Sequence, residues 1–115
     1  FWITAADHRP PGGESFADVT QRVAIAVERL TSAHAGRDIV AVAHGGTIRA
    51  ALALALGLAP GNALAFSVEN LSLTRLDHIA SAHDSSATSA WRIVAVNHAP
   101  AKSPSGADLA SLSVA

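Results

Sequence analysis

Hydrophobic positions recur at helical spacing over residues 16–34, directly after a cluster of turn-forming residues. Residues 9–13 read Arg-Pro-Pro-Gly-Gly, a run that ends any preceding element. Ser15 then stands as an N-cap with Asp18 three positions on, as in a capping box. The pattern predicts an amphipathic helix from about residue 16 to residue 34 that Gly36 ends. The apolar face is predicted to consist of Phe16, Val19, Val23, Ala26, Val27 and Leu30, and the solvated face of Asp18, Gln21, Arg22, Glu28 and Arg29.

A second hydrophobic run, Ile-Val-Ala-Val-Ala at residues 39–43, is continuous instead of periodic. Such a run, of strand length and rich in β-branched residues, is typical of a strand that is covered on both faces in a parallel sheet. It stops at the His-Gly-Gly sequence of residues 44–46, and residues 48–56 then predict an apolar helix that Gly57 ends. Helix, strand, glycine turn and helix in this order predict an α/β fold.

The remainder of the chain alternates short β-like runs with loops. Loops are predicted at residues 59–62 and, from a composition rich in Ser, Ala and His, at residues 78–90. The predicted strands span residues 64–68, 71–76 and 91–96. From residue 100 onward, Ser, Pro, Gly and Ala make a sequence of low complexity. We therefore expect one domain over residues 1–99 and a disordered tail over residues 100–115.

Composition narrows the class of protein. Half of the 115 residues are apolar and 15% are charged, which is typical of one globular domain. The net charge is -1 and the basic residues are scattered, so we expect no nucleic-acid partner and no anionic membrane surface. The longest apolar run, residues 50–59, is half of the roughly 20 residues that a membrane helix needs. The absence of cysteine excludes disulfides and thiolate chemistry and agrees with the cytoplasmic location that we expect.

The first residues of the chain indicate how it relates to a longer protein. The sequence contains no methionine and begins Phe1-Trp2-Ile3. Large apolar residues at a terminus are unusual, because natural termini are mostly polar and loosely held. We therefore expect the chain to begin inside a domain, with a further segment upstream of it.

Two local features carry residue types that suit chemistry on an anion. The His-Gly-Gly sequence at residues 44–46 lies where a predicted strand meets a helix, and open α/β sheets bind ligands at the carboxyl ends of strands. The helix N-terminus there offers N–H groups to a phosphate, and glycines permit its close approach. Glu14, directly before the helix cap, suits a proton donor to a departing oxygen. Taken singly, these features are explained more readily by a flexible turn and by a carboxylate at a helix dipole; together they favour phosphoryl transfer.

Both features lie in longer motifs. Residues 10–23 read Pro-Pro-Gly-Gly-Glu-Ser-Phe-Ala-Asp-Val-Thr-Gln-Arg-Val, and residues 38–49 read Asp-Ile-Val-Ala-Val-Ala-His-Gly-Gly-Thr-Ile-Arg. In their order, spacing and helix-strand context they closely resemble the second half of the histidine phosphatase, or phosphoglycerate-mutase-like, superfamily. Residues 68–76 and the strand that begins at Trp91 are similar to the closing strands of that family. The resemblance extends over residues 9–100.

The resemblance implies a three-layer α/β/α fold with a mostly parallel sheet, of which this chain holds the C-terminal part. It also implies phosphohistidine chemistry, in which a histidine attacks a phosphomonoester and water then hydrolyses the phosphoenzyme without a metal or another cofactor. Glu14 matches the family's proton donor, and His44 matches its second histidine, which hydrogen-bonds the phosphoryl oxygens. The Gly45 N–H assists His44, and Asn70 is expected near the rim of the substrate pocket.

One part of the family's active site has no counterpart in the sequence. The nucleophilic histidine of these proteins lies in an Arg-His-Gly motif after the first strand, and the 115 residues contain no such motif. The pair His8-Arg9 has the reverse order and follows no predicted strand, so we do not assign His8 as the nucleophile. The chain alone is therefore expected to be inactive.

These observations predict that the full-length protein is a metal-independent phosphatase of a small phosphorylated metabolite. Phosphoryl transfer of the phosphoglycerate mutase type is the alternative within this class. A non-catalytic, phosphatase-like binding module is the alternative from another class, because the nucleophile motif is missing from the chain. The sequence is compatible with a homo-oligomer and predicts no membrane partner.

Overall fold

The computed structural model describes residues 6–79 and 90–100. Helices and strands follow one another in these residues in the order α1, α2, α3, β1 and β2. The helices span Phe16–Ala33 (α1), Gly45–Leu56 (α2) and Pro60–Ala63 (α3), and the strands span Leu73–His78 (β1) and Trp91–His98 (β2). The described residues thus combine helices with a small sheet, which is compatible with the predicted α/β class.

Helix α1 begins where the capping box predicts. The Ser15 hydroxyl accepts a hydrogen bond from the Asp18 N–H at 3.1 Å, and the Asp18 carboxylate accepts one from the Ser15 N–H at 3.0 Å. These bonds satisfy N–H groups that an uncapped first turn leaves open. His34 is the C-cap, so the predicted helix over residues 16–34 is confirmed to within one residue.

The hydrophobic core lies between the three helices. Phe16 and Val23 of α1 are 2% and 4% exposed, and they cluster with small buried residues of the other two helices. The buried members from α2 and α3 are Ala50, Ala53 and Ala63. Two residues predicted on the apolar face of α1, Ala26 and Leu30, are exposed instead. The core therefore covers α1 mainly at its N-terminal end, which Glu14 directly precedes in the chain.

Helix α2 begins three residues earlier than the hydrophobic pattern predicts. Its first residue is Gly45, with His44 as the N-cap, whereas the pattern predicts a start at Ile48. Periodicity misses the first turn because glycines have no side chain to mark a helical face. At the other end Gly57 adopts a φ of 63°, and its N–H donates to carbonyl groups of the last turn. The predicted glycine stop is confirmed.

Residues 39–43 do not form the buried central strand that their composition predicts. They pair with no strand of the described residues, and Val40 is 68% exposed while Val42 is fully exposed. A strand buries its apolar side chains only when neighbouring strands and covering helices surround it. Within residues 6–79 and 90–100 neither covers the two valines. The prediction of a buried strand is therefore wrong for the part of the chain that the structure describes.

Residues 59–68 fold differently from the predicted loop and strand. Pro60 occupies the first turn of α3, where its fixed φ suits a helix. The N–H groups of Ala65 and Phe66 then donate to carbonyl groups three residues earlier, at 3.2 Å each. These local turns occupy donors that a strand over residues 64–68 would need, so that predicted strand does not form.

Strands β1 and β2 form a two-stranded antiparallel sheet, and α2 contacts β2. The strand predicted at residues 91–96 is confirmed within β2. The strand predicted at residues 71–76 forms as β1 with a later start, because Leu71 lies at a φ of 63° in a turn. The Ser72 N–H closes this turn onto the Glu69 carbonyl at 3.2 Å. A left-handed residue cannot continue an extended ladder.

The helices and strands of the described residues do not test the predicted three-layer fold. The described residues contain no parallel strand pair, so the three-layer fold with a mostly parallel sheet stays a prediction. Residues 80–89 of the predicted loop and residues 101–115 of the predicted tail lie outside the described part of the chain. No helix within the described ranges has the length and apolar character needed to cross a membrane.

Candidate active site

The N-terminus of α2 presents its first N–H groups without a side-chain cap. His44 occupies the N-cap position in an extended conformation, with φ -80° and ψ 157°, and its side chain makes no capping hydrogen bond. The first N–H groups of an α-helix have no carbonyl partner within the helix, and they lie at the positive end of its dipole. This end of α2 therefore presents donors that suit an anion.

An open cleft of about 480 Å³ lies at this helix end. Three of the four predicted site residues, His44, Gly45 and Asn70, line it together. Arg22 of α1 and Arg49 of α2 also contribute to its walls. The fourth predicted residue, Glu14, is not among the residues that line the cleft.

Gly45 and Arg49 pack closely in the wall of the cleft. The Arg49 Nε donates to the Phe66 carbonyl oxygen at 2.8 Å, which fixes the guanidinium beside the first turn of α2. A Cβ at position 45 would lie 3.1 Å from the Arg49 Nη1 and 3.4 Å from the Val68 carbonyl oxygen. The Arg49 guanidinium would have to shift slightly for any larger residue, so glycine permits this close approach. Arg49 thereby adds a positive charge next to the helix end.

Asn70 is held at the cleft by the turn that precedes β1. The Glu69 N–H donates to the Asn97 side-chain oxygen at 2.8 Å, and the Ser72 hydroxyl donates to the Glu69 carbonyl at 2.7 Å. Leu71 has a φ of 63°, a conformation that costs a non-glycine residue about 1 kcal/mol or more. The end of β2 thus fixes the position of Asn70 through Asn97.

An ion pair with Arg22 connects Glu14 to the cleft. The guanidinium donates two hydrogen bonds to the carboxylate, from Nε to Oε2 at 3.0 Å and from Nη2 to Oε1 at 3.2 Å. These hydrogen bonds and the charge of Glu14 raise the pKa of Arg22. Arg22 itself lines the cleft together with His44. The structure therefore interposes one arginine between Glu14 and the cleft.

Arg22 lines the cleft although the hydrophobic pattern does not predict it as a site residue. The helical pattern assigns it to the solvated face of α1, and its side chain is indeed exposed. Val19, three residues earlier on α1, also lines the cleft, so residues at helical spacing on α1 border the start of α2. The spacing from Glu14 to Arg22, about two helical turns, is the feature of the sequence that indicates their pairing.

The residues around the cleft favour an anionic ligand. Two guanidinium groups line it, and none of the described residues that line it carries a carboxylate. The N-terminus of α2 adds N–H donors and the positive end of the helix dipole, which also favour an anion. Within residues 6–79 and 90–100, no three His, Asp or Glu side chains form a group that could hold a metal ion.

Comparison with known proteins connects this geometry to a family. A model of the histidine phosphatase superfamily (branch 1) matches residues 1–93. The match includes both motifs of the candidate site, the Glu14 loop and the start of α2. A search of curated proteins and a search of solved structures found no match. The chain belongs to the histidine phosphatase superfamily, in its branch 1.

Proposed function

We propose that the full-length protein is a metal-independent phosphatase that hydrolyses a small phosphomonoester through a phosphohistidine intermediate. Membership of the superfamily supports phosphoryl transfer as the chemistry. The observation that carries the proposal is the cleft at the uncapped N-terminus of α2, where His44 and two arginines surround a space of about 480 Å³. Such a site favours the charge that develops on a transferred phosphoryl group.

His44 and the N–H of Gly45 stabilise the phosphoryl oxygens in this proposal. During transfer, charge is spread over the equatorial oxygens of the phosphoryl group, and donors fixed in advance lower its energy. His44 is the N-cap of α2, so the backbone places it directly beside the Gly45 N–H. Asn70 contacts the substrate from the turn before β1.

Glu14 donates a proton to the leaving oxygen and later acts as the base for water. A positioned acid is most useful when the departing alcohol is a poor leaving group. In the free protein both oxygens of Glu14 accept hydrogen bonds from Arg22.

The proposal includes a three-layer α/β/α domain in which residues 39–43 are an internal strand of a mostly parallel sheet. Since the 115 residues contain no Arg-His-Gly motif, the nucleophilic histidine is assigned to the full-length protein outside them. We expect the protein to act in the cytoplasm, without a cofactor, on a small phosphorylated metabolite.

Two alternatives compete with hydrolysis. Transfer of the phosphoglycerate mutase type uses the same chemistry, with a second hydroxyl group in place of water. A non-catalytic binding module is favoured by the lack of an Arg-His-Gly motif among the 115 residues. The upstream coding sequence separates the module from the enzymes, because an Arg-His-Gly motif after an apolar strand there would argue against the module.

An assay of the full-length protein with a panel of phosphomonoesters tests the proposal. The panel contains sugar phosphates, phosphoglycerates and p-nitrophenyl phosphate, and EDTA is present throughout. We expect release of inorganic phosphate in EDTA, whereas a mutase would isomerise phosphoglycerate without releasing phosphate. No turnover, or turnover only after metal is added, would contradict the proposal.

A further inference from the structure

Arg22 bridges Glu14 and the cleft around His44. Its Nε and Nη2 groups donate to the two carboxylate oxygens of Glu14 at 3.0 and 3.2 Å, and the same side chain lines the cleft. A guanidinium carries five N–H donors in a planar fork. Two of them face Glu14, so the others are available to a ligand in the cleft.

The stability of the fold does not explain this ion pair. The side chains of Arg22 and Glu14 are 61% and 48% exposed, and ion pairs in such surroundings contribute little to stability. The two bonds do hold a long and flexible side chain in one orientation at the edge of the cleft. An arginine that is oriented in advance loses less conformational entropy when it binds an anion.

We propose that Arg22 is a substrate-binding residue whose guanidinium contacts the phosphoryl group in the cleft, and that Glu14 positions it. This inference rests on the proposed function, since the anion is taken to be the phosphomonoester. Arginine suits the task because its planar fork binds carboxylate and phosphate with the same geometry. Glu14 then has two tasks, because it orients Arg22 before the substrate binds and donates a proton during the reaction.

The variant Arg22→Met in the full-length protein tests this contact, with Arg29→Met as its matched control. Arg29 lies exposed on the same helix, and its replacement removes the same charge. We expect Arg22→Met to raise KM about 10- to 100-fold for an alkyl phosphate and for p-nitrophenyl phosphate alike, while Arg29→Met leaves KM unchanged. Arg22→Lys should recover part of the loss, because the charge returns without the fork.

The variant Glu14→Gln separates the two tasks of Glu14. If Arg22 contacts the substrate directly, adding Arg22→Met to Glu14→Gln lowers kcat/KM further. The opposite result has two parts: Arg22→Met lowers kcat/KM only for the alkyl phosphate, and it has no further effect when Glu14 is already glutamine. That result would overturn the inference. It would mean that Arg22 acts only through the proton donor.

Calorimetric titration with inorganic phosphate gives a readout that does not depend on turnover. We expect phosphate to bind Arg22→Met about 10- to 100-fold more weakly than the unchanged protein, and Arg29→Met equally well. If this pattern holds but no monoester is hydrolysed, the inference about Arg22 stands and the proposed function fails. If monoesters are hydrolysed and the two variants bind phosphate alike, the function stands and the inference fails.

Discussion

Helices α1 and α2 begin in opposite ways. At the start of α1, Ser15 and Asp18 exchange two hydrogen bonds, and Arg9 adds an ion pair to Asp18 at 2.6 Å. At the start of α2, His44 makes no capping bond, and the first turn borders the cleft. The first helix end is closed by its own side chains, whereas the second is open to a ligand.

This difference separates a helix end that stabilises the fold from one that suits binding. A cap that satisfies the first N–H groups contributes to stability, whereas an open end keeps its donors and its positive dipole for an anion. Substitutions at the cap of α1 should therefore change the free energy of unfolding. Substitutions at the cap of α2 should change activity instead.

The largest expected effect is the loss of activity in His44→Ala. Removing a donor that stabilises transition-state charge should lower kcat about 100- to 1,000-fold, for an alkyl phosphate and for p-nitrophenyl phosphate alike. Because His44 makes no capping bond, the midpoint of thermal unfolding should change little. Steady-state kinetics and thermal denaturation of the full-length protein measure both quantities. Near-normal activity would refute the role of the open helix end.

Glu14→Gln should lose activity in a way that depends on the leaving group. We expect a loss of about 100-fold on an alkyl phosphate, whose oxygen needs a proton as it departs. On p-nitrophenyl phosphate, whose leaving group needs little protonation, the loss should be much smaller. The values of kcat/KM on the two substrates measure this contrast, once folding has been checked. Equal losses on both would remove the assignment of Glu14 as the proton donor.

Ser15→Ala should destabilise the fold without a specific effect on chemistry. Ser15 is 4% exposed, and loss of its hydroxyl leaves the Asp18 N–H without its partner. Caps of this kind contribute about 1 kcal/mol. Denaturant unfolding of the full-length protein measures the change, and His44→Ala serves as the comparison at the other helix end. If both substitutions lowered stability equally, the two helix starts would not differ as described.

The smallest effect concerns acid stability. Hydrogen bonds from the Ser15 N–H and from the Ser15 side chain lower the pKa of Asp18 from its ordinary value of 3.8, and Arg9 lowers it further. A carboxyl whose pKa is lower in the folded state stabilises the fold above its unfolded-state pKa. That stabilisation is lost as pH falls below 3.8 and through the folded-state pKa. Thermal melts between pH 6 and about pH 2 should therefore show a shallower decline for Asp18→Asn than for the unchanged protein.

The sequence correctly predicts the elements that depend on contacts between residues close together in the chain. Helix α1 and the glycine stop of α2 depend on contacts within a few residues, and both are confirmed. The strand at residues 39–43 depends on partners far along the chain, and hydrophobicity alone does not say whether they are present. The later start of β1 has a different reason, because Leu71 adopts a φ of 63° that is uncommon for a leucine.

The same distinction between local and more distant contacts applies to the candidate site. His44 and Gly45 are adjacent in sequence, so their place at a helix start follows from the local pattern. Arg22 of α1 pairs with Glu14, which lies in the loop before that helix. The hydrophobic pattern only distinguishes buried from exposed residues, so it assigns Arg22 to the solvated face. An exposed side chain can still border a cleft, which a hydrophobic pattern does not register.

The exposed segment at residues 39–43 has a consequence for isotope exchange. Its backbone amides pair with no strand within the described residues, so in the 115-residue chain they should exchange with heavy water as fast as in an unstructured peptide. Amides in the middle of α1 should exchange far more slowly. In a protein where another strand pairs with residues 39–43, the same amides become protected. Their exchange rate therefore reports, without any substrate, whether the sheet around this segment has been assembled.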